Sequence, residues 1–153
     1  MRWLALTLSL LALTGCGSAP APPAIAGSPR EREWAAEARN LLTGLDDALP
    51  RIADAGVGPG TLTDTSHLYS AVLGYTYVDS CRDQLEHLGQ PSRRERDASA
   101  LLHKACAHLH HASTVFTRAV QLNRASLLVT ASGEALGVAP LLERVRTLLA
   151  PIR

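Results

Sequence analysis

The sequence predicts an all-α protein, an antiparallel up-down-up-down four-helix bundle, and three observations carry that prediction. Four stretches of the 153-residue chain place apolar residues at alternating spacings of four and three, the rhythm of one helix face. No stretch sustains the every-other-residue alternation of a strand. Caps and breakers separate the stretches, so that amphipathic helices of similar length follow one another with short turns.

The first helix opens at Ser28 and Glu31, an S-x-x-E capping box with Pro29 at the first helical position. Trp34, Ala38, Leu41, Leu45, Ala48 and Ile52 then share one stripe. Pro50 lacks an N–H and crowds the turn before it, so a kink is expected near the helix end. Gly-Val-Gly-Pro-Gly at 56–60 breaks the chain.

The Thr/Ser/Asp-rich run 61–66 offers N-caps for the second helix. Its face carries Ala71, Gly74, Tyr75, Val78, Cys81, Leu85 and Leu88, and small Ala71 and Gly74 leave room for a neighbouring helix to come close. Gly89-Gln90-Pro91 ends it. Ser92 and Glu95 form a second capping box for the third helix, whose stripe is Ala98, Leu102, Ala105, Leu109, Ala112, Phe116 and Ala119. Asn123 continues that spacing but is polar, so the helix ends near it. In the fourth block Leu128, Ala131, Ala135, Val138, Leu142, Val145 and Leu149 keep register through Gly133, Gly137 and Pro140. That predicts one kinked helix; the alternative is a break at Gly137, with Pro140 opening a short last helix.

The N-terminus is of another kind. Arg2 precedes an apolar run over 4–13, about ten residues and too short to cross a bilayer core of about 30 Å. Leu13-Thr14-Gly15-Cys16 follows. This stretch resembles the lipobox of bacterial lipoproteins. The resemblance covers the first twenty or so residues and implies cleavage before Cys16, a diacylglyceryl group on its thiol, and acylation of the new amino group. Two or more chains give stable anchoring where one binds marginally. The expected organisation is therefore a signal peptide at 1–15, a Pro/Ala-rich tether at 16–28, and a helical domain at 29–153. The expected location is extracytoplasmic, on a bacterial membrane. No second apolar run is read as a transmembrane helix.

Charge narrows the partners. The chain has 15 basic and 14 acidic side chains, and losing Arg2 with the signal balances them. Basic residues are interspersed with acids even at Arg93, Arg94 and Arg96, which reads as a solvated helix start, so no nucleic-acid partner is expected.

With Cys16 lipidated, Cys81 and Cys106 remain as a pair in an oxidising compartment, and a disulfide is expected. It would close a loop of about 25 residues, worth roughly 3 kcal/mol in the chain-entropy model. If both helices met squarely at their turn, the two cysteines would be misaligned by about 8 Å. Segment 93–97 must therefore overhang the bundle or be partly uncoiled. A reactive redox pair is the sharper alternative, but the chain has no C-x-x-C.

His103, Cys106 and His110 share a face, with His108 and His111 nearby and His67 and His87 on the preceding helix. Imidazole and thiolate at such spacing suit zinc or copper. Yet His103 and His110 fall on the outer flank of the apolar stripe and His111 opposite it, no carboxylate accompanies His103, Cys106 and His110 on their face, and the Glu-x-x-His pairs of di-iron bundles are missing. Exposed histidines and no metal or other cofactor are expected. No nucleophile elbow or phosphate loop is present, and Asp46-Asp47 reads as solvated charge. Tyr75 is assigned to the core; Tyr69 and Tyr77 are candidates for a binding face. The functional expectation is a non-enzymatic module that binds a protein partner or organises the envelope. The alternative is a small-ligand or metal-binding lipoprotein using an interhelical pocket or the His103/His110 region. A contiguous apolar patch favours the first, an enclosed pocket with convergent polar groups the second.

Overall fold

Six helical segments line up as four rods: α1 (Pro29–Ala55), α2 (Thr65–Asp79) with α3 (Cys81–His87), α4 (Arg96–Gln121), and α5 (Ala125–Leu136) with α6 (Ala139–Leu149). The chain is an all-α four-helix bundle, seen in a computed structural model that describes residues 27–55, 60 and 62–152. The expected signal peptide, Cys16 and all but the end of the tether lie outside the described residues, as does most of the glycine-rich break at 56–60.

The capping box of α1 forms in both directions: the Glu31 carboxylate accepts the Ser28 N–H at 2.7 Å, and Ser28 Oγ accepts the Glu31 N–H at 3.2 Å. The helix begins at Pro29 and runs unbroken through Pro50. Gly27 is buried, with its carbonyl accepting from Arg32, so the folded domain starts two residues before the expected boundary. Asp64 is the N-cap of α2, accepting from the backbone N–H groups of Ser66 and His67.

The expected second helix is two segments. Ser80 divides it: its hydroxyl donates to the Tyr77 carbonyl at 2.7 Å and accepts from Gln84, a local alternative to the helical ladder. The apolar stripe continues across that break, which is why periodicity alone does not reveal it. Leu88 ends α3, and Gly89 follows at φ +72°, the left-handed position that favours glycine.

The second capping box forms by halves. Ser92 N–H donates to the Glu95 carboxylate at 2.8 Å, but Ser92 Oγ accepts from Arg94 rather than from Glu95. Residues 93–95 form a turn, and α4 starts only at Arg96, the partial uncoiling that the cysteine register demands. Every residue of the expected α4 stripe is buried, from Ala98 to Ala119. Asn123 closes the helix at φ 49°, with Asn123 N–H to the Val120 carbonyl and Arg124 N–H to that of Ala119, a Schellman ending.

The expected continuous fourth helix is also corrected. A turn at Gly137 and Val138 separates α5 from α6, and Pro140 sits in the first turn of α6, where its missing N–H costs nothing. A second correction concerns length and hydropathy. Ala125–Leu149 has 25 residues and a window of mean hydropathy 1.5, enough to cross a membrane by composition. In the bundle it is one-sided: 33% of that window is buried, including Leu128, Ala131, Ala135, Val138 and Leu142. Many of its exposed positions before Glu143 are small or uncharged, such as Thr130, Gly133 and Pro140, which keeps hydropathy high.

Neighbouring rods meet in opposite chain order. Gly44 faces Tyr77, and Ala48 and Ile52 face Gly74. Tyr75 stacks on Phe116, and Cys81 meets Cys106. On the far side Asp46 pairs with Arg146, and the Arg39 guanidinium donates to the carbonyls of Leu149 and Ile152.

Candidate functional site

The α2–α4 side carries most of the chemistry-bearing residues. Cys81 and Cys106 lie at disulfide distance with Cα atoms 5.4 Å apart, and both are buried. About two to three helical turns away Tyr75 and Phe116 stack with ring centroids 4.1 Å apart and planes 15° off parallel. Burial pushes the Tyr75 phenol well up, and the nearby Glu134 carboxylate pushes it further. These contacts pin α2 to α4 at two heights.

Between and beyond these contacts the surface is open. One open cleft of about 510 Å³ is lined by Asp79, His110, Ser113, Arg118 and Leu122 among others. A second, of about 340 Å³, takes in Val72, Tyr75, Phe116 and Val120 and shares Asp79, Ser113, Thr117 and Gln121 with the first. Both open to solvent. Apolar side chains stand exposed along this seam: Val72 at 41%, Leu122 at 49% and, one turn before Val72, Tyr69 at 65%. Val120 is exposed too. On the α2 side Tyr69 is a binding-face candidate from sequence, and Val72 would have been found by asking which apolar residues fall off the buried stripe. The pairing with Val120 and Leu122 depends on how two helices register and has no signal in one helix's spacing.

No family model, no curated protein and no solved structure matches this chain.

All six histidines are exposed. His110 Nδ1 lies 2.8 Å from Asp79 Oδ1, and His111 Nε2 lies 3.5 Å from Glu134 Oε2, too poorly aligned to satisfy that buried oxygen. His103 and His108 join neither cleft. Among the described residues no three His, Cys, Asp or Glu side chains converge as a metal cradle. The structure thus brings Cys81 to Cys106 and His110 to Asp79, and leaves His103 apart.

An Asp–His pair beside hydroxyls invites comparison with acid–base catalysis. Asp79 can hold the imidazole through Nδ1, leaving Nε2 free. Two neighbouring hydroxyls are committed elsewhere: Thr114 donates to the His110 carbonyl at 3.1 Å and Thr117 to that of Ser113 at 3.0 Å. Neither is set up as a nucleophile, and both side chains of the pair are at least half exposed, where solvent screens the contact.

Two residues named from sequence for other reasons carry buried polar atoms that sequence did not foresee. Glu95 is 1% exposed, and its Oε1 has no protein partner; Trp34 is buried with its indole N–H likewise unpartnered. Both sit near the end where Glu31 accepts from Ser92 Oγ and Arg30 donates to the Gln90 carbonyl.

Proposed function

We propose that this chain is a lipid-anchored extracytoplasmic helical-bundle protein whose role is non-enzymatic: it holds a protein partner in the cell envelope. The observation that carries this reading is the exposed apolar seam Tyr69, Val72, Val120 and Leu122 along an open groove. Aromatic and aliphatic side chains presented together on a rigid pair of helices are the material of a protein–protein contact. The lipobox-like Leu13-Thr14-Gly15-Cys16 supports anchoring at Cys16. The groove is open and its Asp79–His110 contact is exposed, which favours a macromolecular partner over an engulfed small ligand.

A photo-crosslinking residue placed at Tyr69 or Leu122 in cells, with Arg82 on the outer face of α3 as control, tests the reading. A discrete adduct from the seam positions, absent from the control and lost in Val72→Asp, is expected. Cys16→Ala should release the protein from the membrane. Equal labelling from seam and control positions would remove the partner reading and promote small-ligand binding in the His110 cleft.

A further inference from the structure

The end of the bundle opposite the apolar seam carries a second surface. Gly27 lies against Ile152, where an added Cβ would come within 3.3 Å of Ile152 Cγ2, and its carbonyl is held by Arg32. The chain preceding residue 27 therefore joins the domain at this end. Five exposed arginines surround the junction: Arg30, Arg32, Arg93, Arg94 and Arg96. They come from two separate segments that the fold brings together. Arg30 reaches the Gln90 carbonyl, and Arg94 is close enough to Glu31 to help hold its carboxyl below the usual range.

In sequence these arginines are interleaved with acids, but the fold separates the two. Glu31 is engaged by the Ser28 N–H and the Ser92 hydroxyl, and Glu95 is turned inward and buried. Only Glu33 and Asp97 remain exposed within 27–33 and 89–97. The rim of this end is thus net basic, with the exposed carboxylates of Glu37, Asp83 and Glu86 about a turn further along the rods, and the planar guanidinium fork matches phosphate oxygens. Among the described residues the far end shows no such cluster: there exposed Arg51, Arg118 and Arg124 are matched by exposed Asp47, Asp54 and Asp64.

We propose that this arginine collar docks on an anionic phospholipid surface. The occupant is fixed by charge complementarity and by where the tether joins; the proposal rests on the lipid-anchor reading for its setting. From Cys16 to Gly27 the chain has a contour of up to about 40 Å, so an acyl anchor alone does not fix which face of the domain meets the bilayer. The tether supplies high local concentration, and the collar needs only weak affinity to orient the domain. With α1 about 40 Å long, docking at the collar presents Tyr69 and Leu122 away from the bilayer.

The test uses the chain from position 16 onward with Cys16→Ser, which carries no lipid. It is sedimented with vesicles of phosphatidylcholine alone or mixed with phosphatidylglycerol. Binding to the anionic vesicles only, abolished by high salt, is expected. Arg93→Glu with Arg94→Glu should weaken it about tenfold or more, while Arg124→Glu with Arg144→Glu, equal in charge, should not. Thermal melting, expected to be unchanged because all four side chains are exposed, verifies the fold. Arg93→Gln with Arg94→Gln should give a smaller loss in the same direction. No binding to anionic vesicles, or equal loss in both charge-reversal pairs, overturns the collar. Because this protein has no acyl group, failure here is distinct from failure of the Cys16 reading, which is decided by the N-terminal peptide's mass in native protein.

Discussion

Helix α2 is held in two different ways on its two sides. Against α1 it is held by close approach. A Cβ added at Gly74 would lie 2.9 Å from Ile52 Cγ1 and 3.0 Å from the Ala48 carbonyl oxygen, so backbone nearly touches backbone. Against α4 it is held at points: the Tyr75–Phe116 stack and, just beyond its end, the Cys81–Cys106 contact. Continuous packing consumes apolar surface along its length. Point bridges leave it uncovered between and beyond them, and there Val72 and Val120 remain exposed. The open side of α2 is thus a consequence of how the bundle is fastened, and it is where a partner can be accommodated without unfolding anything.

Breaking the strongest bridge should produce the largest effect. Reduction, or Cys81→Ala with Cys106→Ala, is expected to cost about 2–5 kcal/mol in urea unfolding, the usual range for a small disulfide-closed domain. Amide exchange should rise along α2 and α3 on the α4 side, while Ala48 and Ile52 in α1 stay protected. A loss no larger than the roughly 0.5 kcal/mol of ordinary surface substitutions would mean that the bridge does not fasten this side.

The packed side is probed by two glycines that meet different kinds of obstacle. Gly74→Ala drives a methyl into the Ala48 backbone carbonyl, which can yield only if the helices separate. A net loss of about 1–3 kcal/mol is expected after the helix-propensity gain of alanine. Gly44→Ala meets only the phenol end of Tyr77, a half-buried side chain that can swing outward. That change should stay within about 1 kcal/mol of wild type, since propensity offsets the lost contact. Denaturation midpoints of the two variants compare them directly. Equal losses would show that α1 and α2 are not limited by backbone approach.

Much of this was legible in the sequence for physical reasons that one helix contains. The stripe from Ala98 to Ala119 is buried because burial follows a 3.6-residue period. Ser28 and Glu31 cap α1 because capping is local. The small Ala71 and Gly74 mark the close α1 contact, and the flanking histidines are exposed. What was not legible lies between helices or beneath the period. Ser80 breaks the second helix through its own hydroxyl without disturbing the stripe. At Gly137 and Pro140 the register persisted across a real turn. The inward rotation of Glu95 and the engagement of Glu31 turn a mixed charge run into an arginine collar, and only the folded register shows it. The apolar seam likewise exists only where α2 meets α4.

The smallest expected effect distinguishes the caps of the two helices that meet at Gly74. Glu31 is held below the usual carboxylate range chiefly by the Ser28 N–H, then by the Ser92 and Ser28 hydroxyls; Asp64 is held below it by the N–H groups of His67 and Ser66. In each case the unfolded chain takes up the proton at higher pH than the native one. Each contribution is therefore complete above the ordinary values of 4.5 and 3.8, and is lost as pH falls through the lowered native value. Asp64→Asn keeps a capping oxygen but removes the titration. It should flatten the acid-side stability curve slightly and leave stability at neutral pH nearly unchanged. The Glu31 bonds extend to Ser92 on another segment, whereas those of Asp64 stay within the first turn of α2. Acid should accordingly free the Ser66 and His67 amides while those around Ala71 and Gly74 stay protected by α1, as amide exchange across that pH range would reveal. Loss of protection along all of α2 would mean that its N-cap, and not the close approach of α1, keeps the helix in place.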